Sequence, residues 1–221
     1  MRKPYICIFA KPPRPGSVKT RLASEVGSER AAALAAAFSR DTWSAVRALR
    51  WAQPVLATTD ANAKDWDFAR RDDIWPQGNG DLGERLERVL RRALRGAPFA
   101  IALGIDTPGL PRSLVEQARE ALHTSEAVLG PCEDGGFYLL GLRKCPRGLL
   151  RNLPWSARNT FVQTLIRLRR WGYQTQVLPP WFDVDRPGDL ARLQSLLSRG
   201  DISARETARL LAKSSSAAGR R

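Results

Sequence analysis

The run Phe99-Ala100-Ile101-Ala102-Leu103-Gly104-Ile105-Asp106 decides the architecture. It reads as one strongly apolar strand that ends on a carboxylate. Helical patterns stand on both sides of it. Upstream, Asp81 followed by Glu84 has the spacing of a capping box and opens an amphipathic helix through Leu86, Val89, Leu90 and Leu94. Downstream, Pro111 to Leu122 forms the next helix. The same alternation continues outward. Tyr5 to Ala10 is a strand followed by a Pro/Gly loop from Pro12 to Gly16, and Ser28 is placed to cap a helix reaching about Arg50. Pro54 to Thr58 is a second strand and Ile74-Trp75 a third. Ala127 to Gly130 and Phe137 to Leu142 flank the turn Glu133-Asp134-Gly135-Gly136. A helix from Thr160 to Trp171, a strand from Gln174 to Leu178, and helices after Pro187 and Ser203 complete the order.

Strands separated by helical segments of this length argue for an α/β fold, a mostly parallel sheet with helices on both faces. No composition break or repeat divides the chain. One domain over residues 1–212 is expected, with 213–221 a disordered basic tail. In such sheets the ligand sits outside the carboxyl ends of the strands, so polar residues just after strands carry the information.

The 221 residues, 43% apolar and 26% charged, suit an ordinary globular protein. The longest apolar stretch, Ala31 to Phe38, is far too short to span a bilayer, and Tyr5 to Ala10 is too short for a secretory signal. No membrane insertion and a cytoplasmic location are therefore expected. Cys7, Cys132 and Cys145 form no disulfide framework, and the lone His123 excludes a multi-histidine zinc site. Any metal would be a hard cation held by carboxylates. The formal charge is +14, and it is uneven: Arg143 to Arg221 holds 16 Lys+Arg and 5 Asp+Glu, against 20 and 17 before it. Such asymmetry fits a nucleic-acid or anionic-membrane surface. However, the arginines are scattered along amphipathic segments without aromatic interleaving, so no specific nucleic-acid partner is expected.

Four segments can carry chemistry. Lys11 through Gly16 to Lys19-Thr20-Arg21-Leu22 places cations on a constrained loop at the ligand edge, either a phosphate cradle or a solvated basic loop; it lacks the Walker pattern. Asp106, directly after its strand, is placed to hold Mg²⁺ or Mn²⁺ or else to form a turn. Asp183 and Asp185 share a face of an extended segment and are further candidate ligands, with helix capping before Pro187 the competing role for Asp185. Glu133-Asp134-Gly135-Gly136 is either a hairpin turn or a substrate loop with Asp134 or Glu133 as general base.

In order, Lys19-Thr20-Arg21-Leu22, Gly80-Asp81-Leu82-Gly83-Glu84-Arg85, Gly104-Ile105-Asp106-Thr107-Pro108, Gly130-Pro131 through Tyr138, and Asp183 through Leu190 resemble the small bacterial proteins of the glycosyltransferase-A, or nucleotide-diphospho-sugar transferase, superfamily. The group includes arsenosugar-biosynthesis-type glycosyltransferases. More distantly, the chain is similar to phospholactate and molybdenum-cofactor guanylyltransferases. The resemblance implies a Rossmann-like sheet and a transferase using a nucleotide sugar or, alternatively, an NTP, with a small-molecule acceptor. On the cradle reading Lys11, Gly16 and Thr20 are nucleotide-binding candidates, and the resemblance implies that Lys19 and Arg21 face the nucleotide phosphates and that Asp81 and Gly83 line the site near the donor. It also implies that Asp106 and Asp185 hold Mg²⁺ or Mn²⁺, and that Gly135 and Gly136 shape the acceptor side. The superfamily's Asp-x-Asp motif is reduced here to Asp106-Thr107-Pro108. Oligomeric state stays open.

Overall fold

The computed structural model describes residues 3–61 and 63–218. Its strands are β1 (Tyr5–Ala10), β2 (Gln53–Thr58), β3 (Ile74–Pro76), β4 (Ala100–Gly104), β5 (Ala127–Pro131), β6 (Phe137–Leu142) and β7 (Thr175–Val177). They form one sheet in the order β3-β2-β1-β4-β6-β5-β7. Only β6 runs antiparallel to its neighbours. The helices are α1 (Thr20–Val26), α2 (Ser28–Arg47), α3 (Leu82–Leu94), α4 (Arg112–Thr124), α5 (Thr160–Arg170), α6 (Pro187–Arg199) and α7 (Arg205–Ala218).

Period-two alternation along the central strands feeds two cores. Ile6, Ile8, Ile101 and Leu103 pack with Trp43 and Val46 of α2 and Leu114, Val115 and Ala118 of α4. Cys7, Ala100 and Ala102 face the opposite layer, with Leu86 and Leu90 of α3 and Leu168 of α5. The expected fold class, a mostly parallel sheet covered on both faces, is what the chain adopts.

Two features place the site. From β1 the chain moves out to β2 and β3, then returns to the other side of β1 as β4. The carboxyl ends of β1 and β4 therefore border the crevice where such sheets bind ligands. Because β5 is parallel and β6 antiparallel, the hairpin loop between them lies at that same edge.

Three expectations need correction. Ser28 is not the cap but the first residue of α2, which ends at Arg47 rather than about Arg50: Gly27, at φ 84°, a backbone conformation that glycine adopts readily, ends the unanticipated α1 and stands at the cap of α2. Asp185 does not cap α6. Asp189, in the first turn, takes that role by accepting from the backbone N–H groups of Asp185 (3.0 Å) and Arg186 (2.7 Å). Residues 213–218, expected as disordered tail, are the last turns of α7, while 219–221 lie outside the described residues. That helix is anchored at its start, where the Asp41 carboxylate of α2 accepts from Glu206 N, Thr207 N and the Thr207 hydroxyl at 2.7–2.9 Å.

Candidate nucleotide-binding site

The loop after β1 is stiffened by Pro12, Pro13 and Pro15, and it folds on itself through Arg14 N to Pro12 O (2.8 Å) and Ser17 N to Arg14 O (3.0 Å). It delivers Lys19 in a left-handed conformation (φ 49°) just before α1, a backbone state uncommon for a side chain of this size. The Lys19 side chain is only 4% exposed. Its Nζ stands 2.6 Å from Asp106 Oδ1, 2.8 Å from Asp185 Oδ1 and 2.8 Å from Val184 O. An ammonium has three N–H donors, and three oxygens surround this one. Phe38 of α2 lies against the same ammonium, 5.7 Å to the ring centroid. Burial alone would lower the Lys19 pKa, but the two carboxylates outweigh it and hold the pKa above the ordinary lysine value. Val184 N donates to Asp106 O (2.8 Å), joining the 183–185 segment to the end of β4.

Phe182 and Val184 are buried in the core, so alternation turns Asp183 and Asp185 together to the cleft side, as expected from the sequence. Burial, and then the negative charges of Asp134 and Asp185, push the Asp183 carboxyl up to about 6. Ligand atoms of Cys132, Asp134 and Asp183 lie within 4.8 Å of one another. The Cys132 thiol is held well above its usual range by burial and by the surrounding carboxylates, so it stays protonated at neutral pH.

In the hairpin loop, Gly135 has φ 95°, and a Cβ there would stand 1.9 Å from Arg158 O. Glycine is required on both counts. Phe161 N donates to Gly135 O (2.9 Å), fastening the loop to the start of α5. Asp134 Oδ1 accepts from Gly136 N (2.8 Å). Glu133 is engaged elsewhere. Arg192 of α6 donates to both its oxygens (2.7 and 3.1 Å), and this pairing lowers its pKa, the wrong direction for a general base.

These elements wall a cleft of about 880 Å³ at the carboxyl edge, large enough for a nucleotide-sized ligand. Arg21, Asp106, Glu133, Asp134, Gly135, Gly136 and Asp185 line it as anticipated. Lys19 lies beneath, tied to Asp106 and Asp185, and Arg21 Nη1 is 3.7 Å from Asp185 Oδ2. Lys11, Gly16, Thr20, Asp81 and Gly83 are not in the lining. Asp81 is the α3 cap, its carboxylate accepting from Glu84 N (2.9 Å) while its own N–H donates to Glu84 (3.1 Å). Gly83 lets α3 approach the 150–155 segment, since a Cβ there would be 2.2 Å from Leu150 O. Trp155, Arg158 and Arg186 line the cleft without having been anticipated. The irregular 152–159 connection, with Asn152 and Ser156 at positive φ, carries no periodic signal that could have pointed to the first two.

A divalent cation suits this set. Asp106 and Asp185 already gather one positive charge between them, and Asp134 and Asp183 add two carboxylates on the same wall. Among the described residues no helix is long and apolar enough to cross a membrane.

Comparison with solved structures extends over the whole fold. A "putative nucleotide-diphospho-sugar transferase" from Desulfovibrio desulfuricans G20 is 29% identical, with a TM-score of 0.84 over 98% of this chain and 96% of that one. A 4-diphosphocytidyl-2C-methyl-D-erythritol synthase from Anaerococcus prevotii DSM 20548 (10% identity, TM-score 0.59, 88% and 96% covered) shares the fold. So does a molybdopterin-guanine dinucleotide biosynthesis protein A from Archaeoglobus fulgidus (14%, 0.54, 88% and 99%). The fold is thus that of the nucleotide-diphospho-sugar transferases, as the motifs implied. No match is found among curated proteins. A family profile covers residues 34–157, more than half of the sequence, and the chain belongs to that family, described as "Uncharacterized protein conserved in bacteria (DUF2064)".

Proposed function

We propose that the protein is a nucleotide-dependent transferase that moves a sugar from a nucleotide-diphosphate donor to a hydroxyl of a small-molecule acceptor. The observation that carries the reading is the meeting of Lys19, Asp106 and Asp185 at the β1/β4 crevice, at the floor of the large cleft. Asp106 and Asp185, with Asp183 beside them, would hold Mg²⁺ or Mn²⁺. Bound there, the cation would neutralise charge developing on the departing diphosphate. Arg21, exposed at the rim, faces the phosphates, while Lys19 fixes the two aspartates instead of reaching for substrate. The hairpin loop forms the acceptor side. With Glu133 committed to Arg192 and Asp183 beside the cation, Asp134 is the carboxylate left to take the acceptor proton. This acidic wall favours a neutral hydroxyl acceptor over a phosphorylated one.

A second reading, nucleotidyl transfer from an NTP to a phosphorylated molecule, draws support from Arg158 and Arg186 in the cleft lining. The products separate the two: sugar transfer releases nucleoside diphosphate, nucleotidyl transfer releases pyrophosphate. A panel of nucleotide sugars and NTPs with Mg²⁺ or Mn²⁺ is the test. Asp106→Asn should lower turnover by about 10²-fold or more, while the chain still folds but melts a few degrees lower, because the buried Lys19 ammonium loses one of its two carboxylates. A fully active Asp106→Asn variant would remove the basis of both readings.

A further inference from the structure

Residues 135–182 contain no Asp or Glu, although the chain as a whole has 22 in 221 residues. The same stretch holds eight Lys and Arg. It also holds every large apolar side chain exposed among the described residues: Val162, Ile166, Trp171 and Val177.

These features share one flank of the molecule. Helix α5 buries Thr160, Thr164 and Leu168 against the sheet. Val162 and Ile166 therefore point outward one turn apart, with Arg169 and Arg170 on the next turn and Trp171 at the end. On the edge strand β7, Val177 pairs in register with Leu129, whose side chain belongs to the α3/α5 layer, so Val177 faces the same side as α5. The 143–151 loop is fastened to this surface by Arg167 donating to Arg151 O (2.8 Å) and the Tyr173 hydroxyl donating to Lys144 O (3.1 Å). It adds the exposed cations Arg143, Lys144, Arg147 and Arg151. Two acids from outside this stretch reach its backbone amides. Glu87 accepts from Gly148 N and Leu150 N (3.0 and 2.7 Å), and Glu126 from Gln174 N (2.9 Å).

We propose that this flank docks on an anionic lipid bilayer. Its charge is complementary to acidic headgroups, and a second copy of the same positive face would be repelled. Polyanionic nucleic acid would match the arginines, but Val162, Ile166 and Val177 gain nothing from a phosphate backbone. They gain from the acyl boundary, where a tryptophan settles at the headgroup level. Neither a basic patch nor a few apolar side chains holds a protein to a membrane firmly, whereas the two together do. Nothing crosses the bilayer in this arrangement; the protein lies on it.

The test is cosedimentation of the full chain with vesicles of phosphatidylglycerol and phosphatidylcholine, and with phosphatidylcholine alone. Binding is expected on the anionic vesicles only, and it should weaken as salt rises. Arg169→Gln and Arg170→Gln should each lower partitioning about fivefold. Ile166→Ser and Trp171→Ala should each lower it about tenfold. All four sites are exposed, so each variant should melt with the parent. Failure to sediment with anionic vesicles at low salt overturns the proposal. So does partitioning that ignores Ile166→Ser and Trp171→Ala, with poly-uridylate binding preserved in both, because that is the behaviour of an RNA surface. A vesicle-free dimer dissociated by the same substitutions would assign the flank to self-association instead.

Discussion

Replacing Lys19 by methionine keeps most of the stem and its contact with Phe38 and removes the ammonium, its charge and its three donors together. The ammonium lies 2.6 and 2.8 Å from two carboxylates, and the side chain is 4% exposed. Breaking a fully buried pair costs about 3–5 kcal/mol, because the orphaned charges stay out of water. Here Asp106 is 52% exposed and Asp185 34%, so water can solvate both once the ammonium is gone. That relief brings the expected loss to about 2–3 kcal/mol, or a drop of about 4–12 °C in Tm for a chain of this size. Methionine retains the Cβ in the left-handed backbone, so this change isolates the ammonium. Lys19→Gly would relieve about 1 kcal/mol of backbone strain but also delete the buried stem, so it should be no more stable than Lys19→Met.

The same substitution has a second consequence with the opposite sign. An ammonium and a divalent cation draw on the same oxygens of Asp106 and Asp185, so each weakens the hold of the other. In Lys19→Met the Mn²⁺ dissociation constant, measured without nucleotide by titration calorimetry, should fall about tenfold, equivalent to about 1.4 kcal/mol. Millimolar Mn²⁺ should accordingly recover more of the variant's lost Tm than it adds to the parent. If Lys19→Met melts within a degree of the parent, the ammonium does not hold the 184–185 segment to β4. Equal Mn²⁺ stabilisation of both proteins would refute the competition.

Other consequences are simpler to check. Gly135→Ala forces a Cβ to 1.9 Å from Arg158 O at φ 95°, and urea unfolding should show a loss of about 2–4 kcal/mol. Glu133→Gln breaks a half-exposed pair with Arg192, so the cost should stay below about 1 kcal/mol and the Tm should move by no more than a few degrees. Asp183 has a folded pKa of about 6, above the ordinary aspartate value of about 3.9. The folded state therefore binds the proton more tightly, and the Asp183 contribution to stability is present at low pH and lost as pH rises from about 4 to about 6. Metal-free Asp183→Asn should lack that decline; a parent profile identical to the variant's would show that Asp183 titrates like a solvated carboxylate.

Sequence patterns revealed the elements because alternation and capping are local. All seven strands and the Asp81 capping box were legible for that reason, and so was the common orientation of Asp183 and Asp185. The short helix α1 was not, since its boundary depends on a left-handed Lys19 held by partners about 165 residues away. For the site, sequence order brought Lys19, Asp106 and Asp185 to one edge but could not say that the lysine would be consumed by the aspartates. Glu133 looked like a candidate base until Arg192, 59 residues downstream, folded onto it. Asp81 and Gly83 were attractive as ligands because Gly-Asp-Leu-Gly resembles a binding loop. Helix capping and close helix packing require the same residue types, and only the three-dimensional neighbours distinguish these uses.

The charge map, finally, constrains how a diphosphate can enter. A net charge of +14 suggests an attractive cleft, yet Asp106, Asp134, Asp183 and Asp185 all line it. Arg143 and its loop begin where β6 ends, six residues of strand from the hairpin, or about 20 Å. Screening at physiological ionic strength acts over about 8 Å, so the basic loop cannot offset the cleft carboxylates. Lys19 cancels one of those charges, and Arg21 and Arg186 stand at the rim. Arg158 lines the cleft as well, but where the carboxylates cluster they repel phosphate oxygens unless a further cation lies among them. Nucleotide affinity should therefore rise steeply with divalent cation, whereas docking on anionic vesicles should only weaken with it, as with other added salt, because the two surfaces draw on different charges.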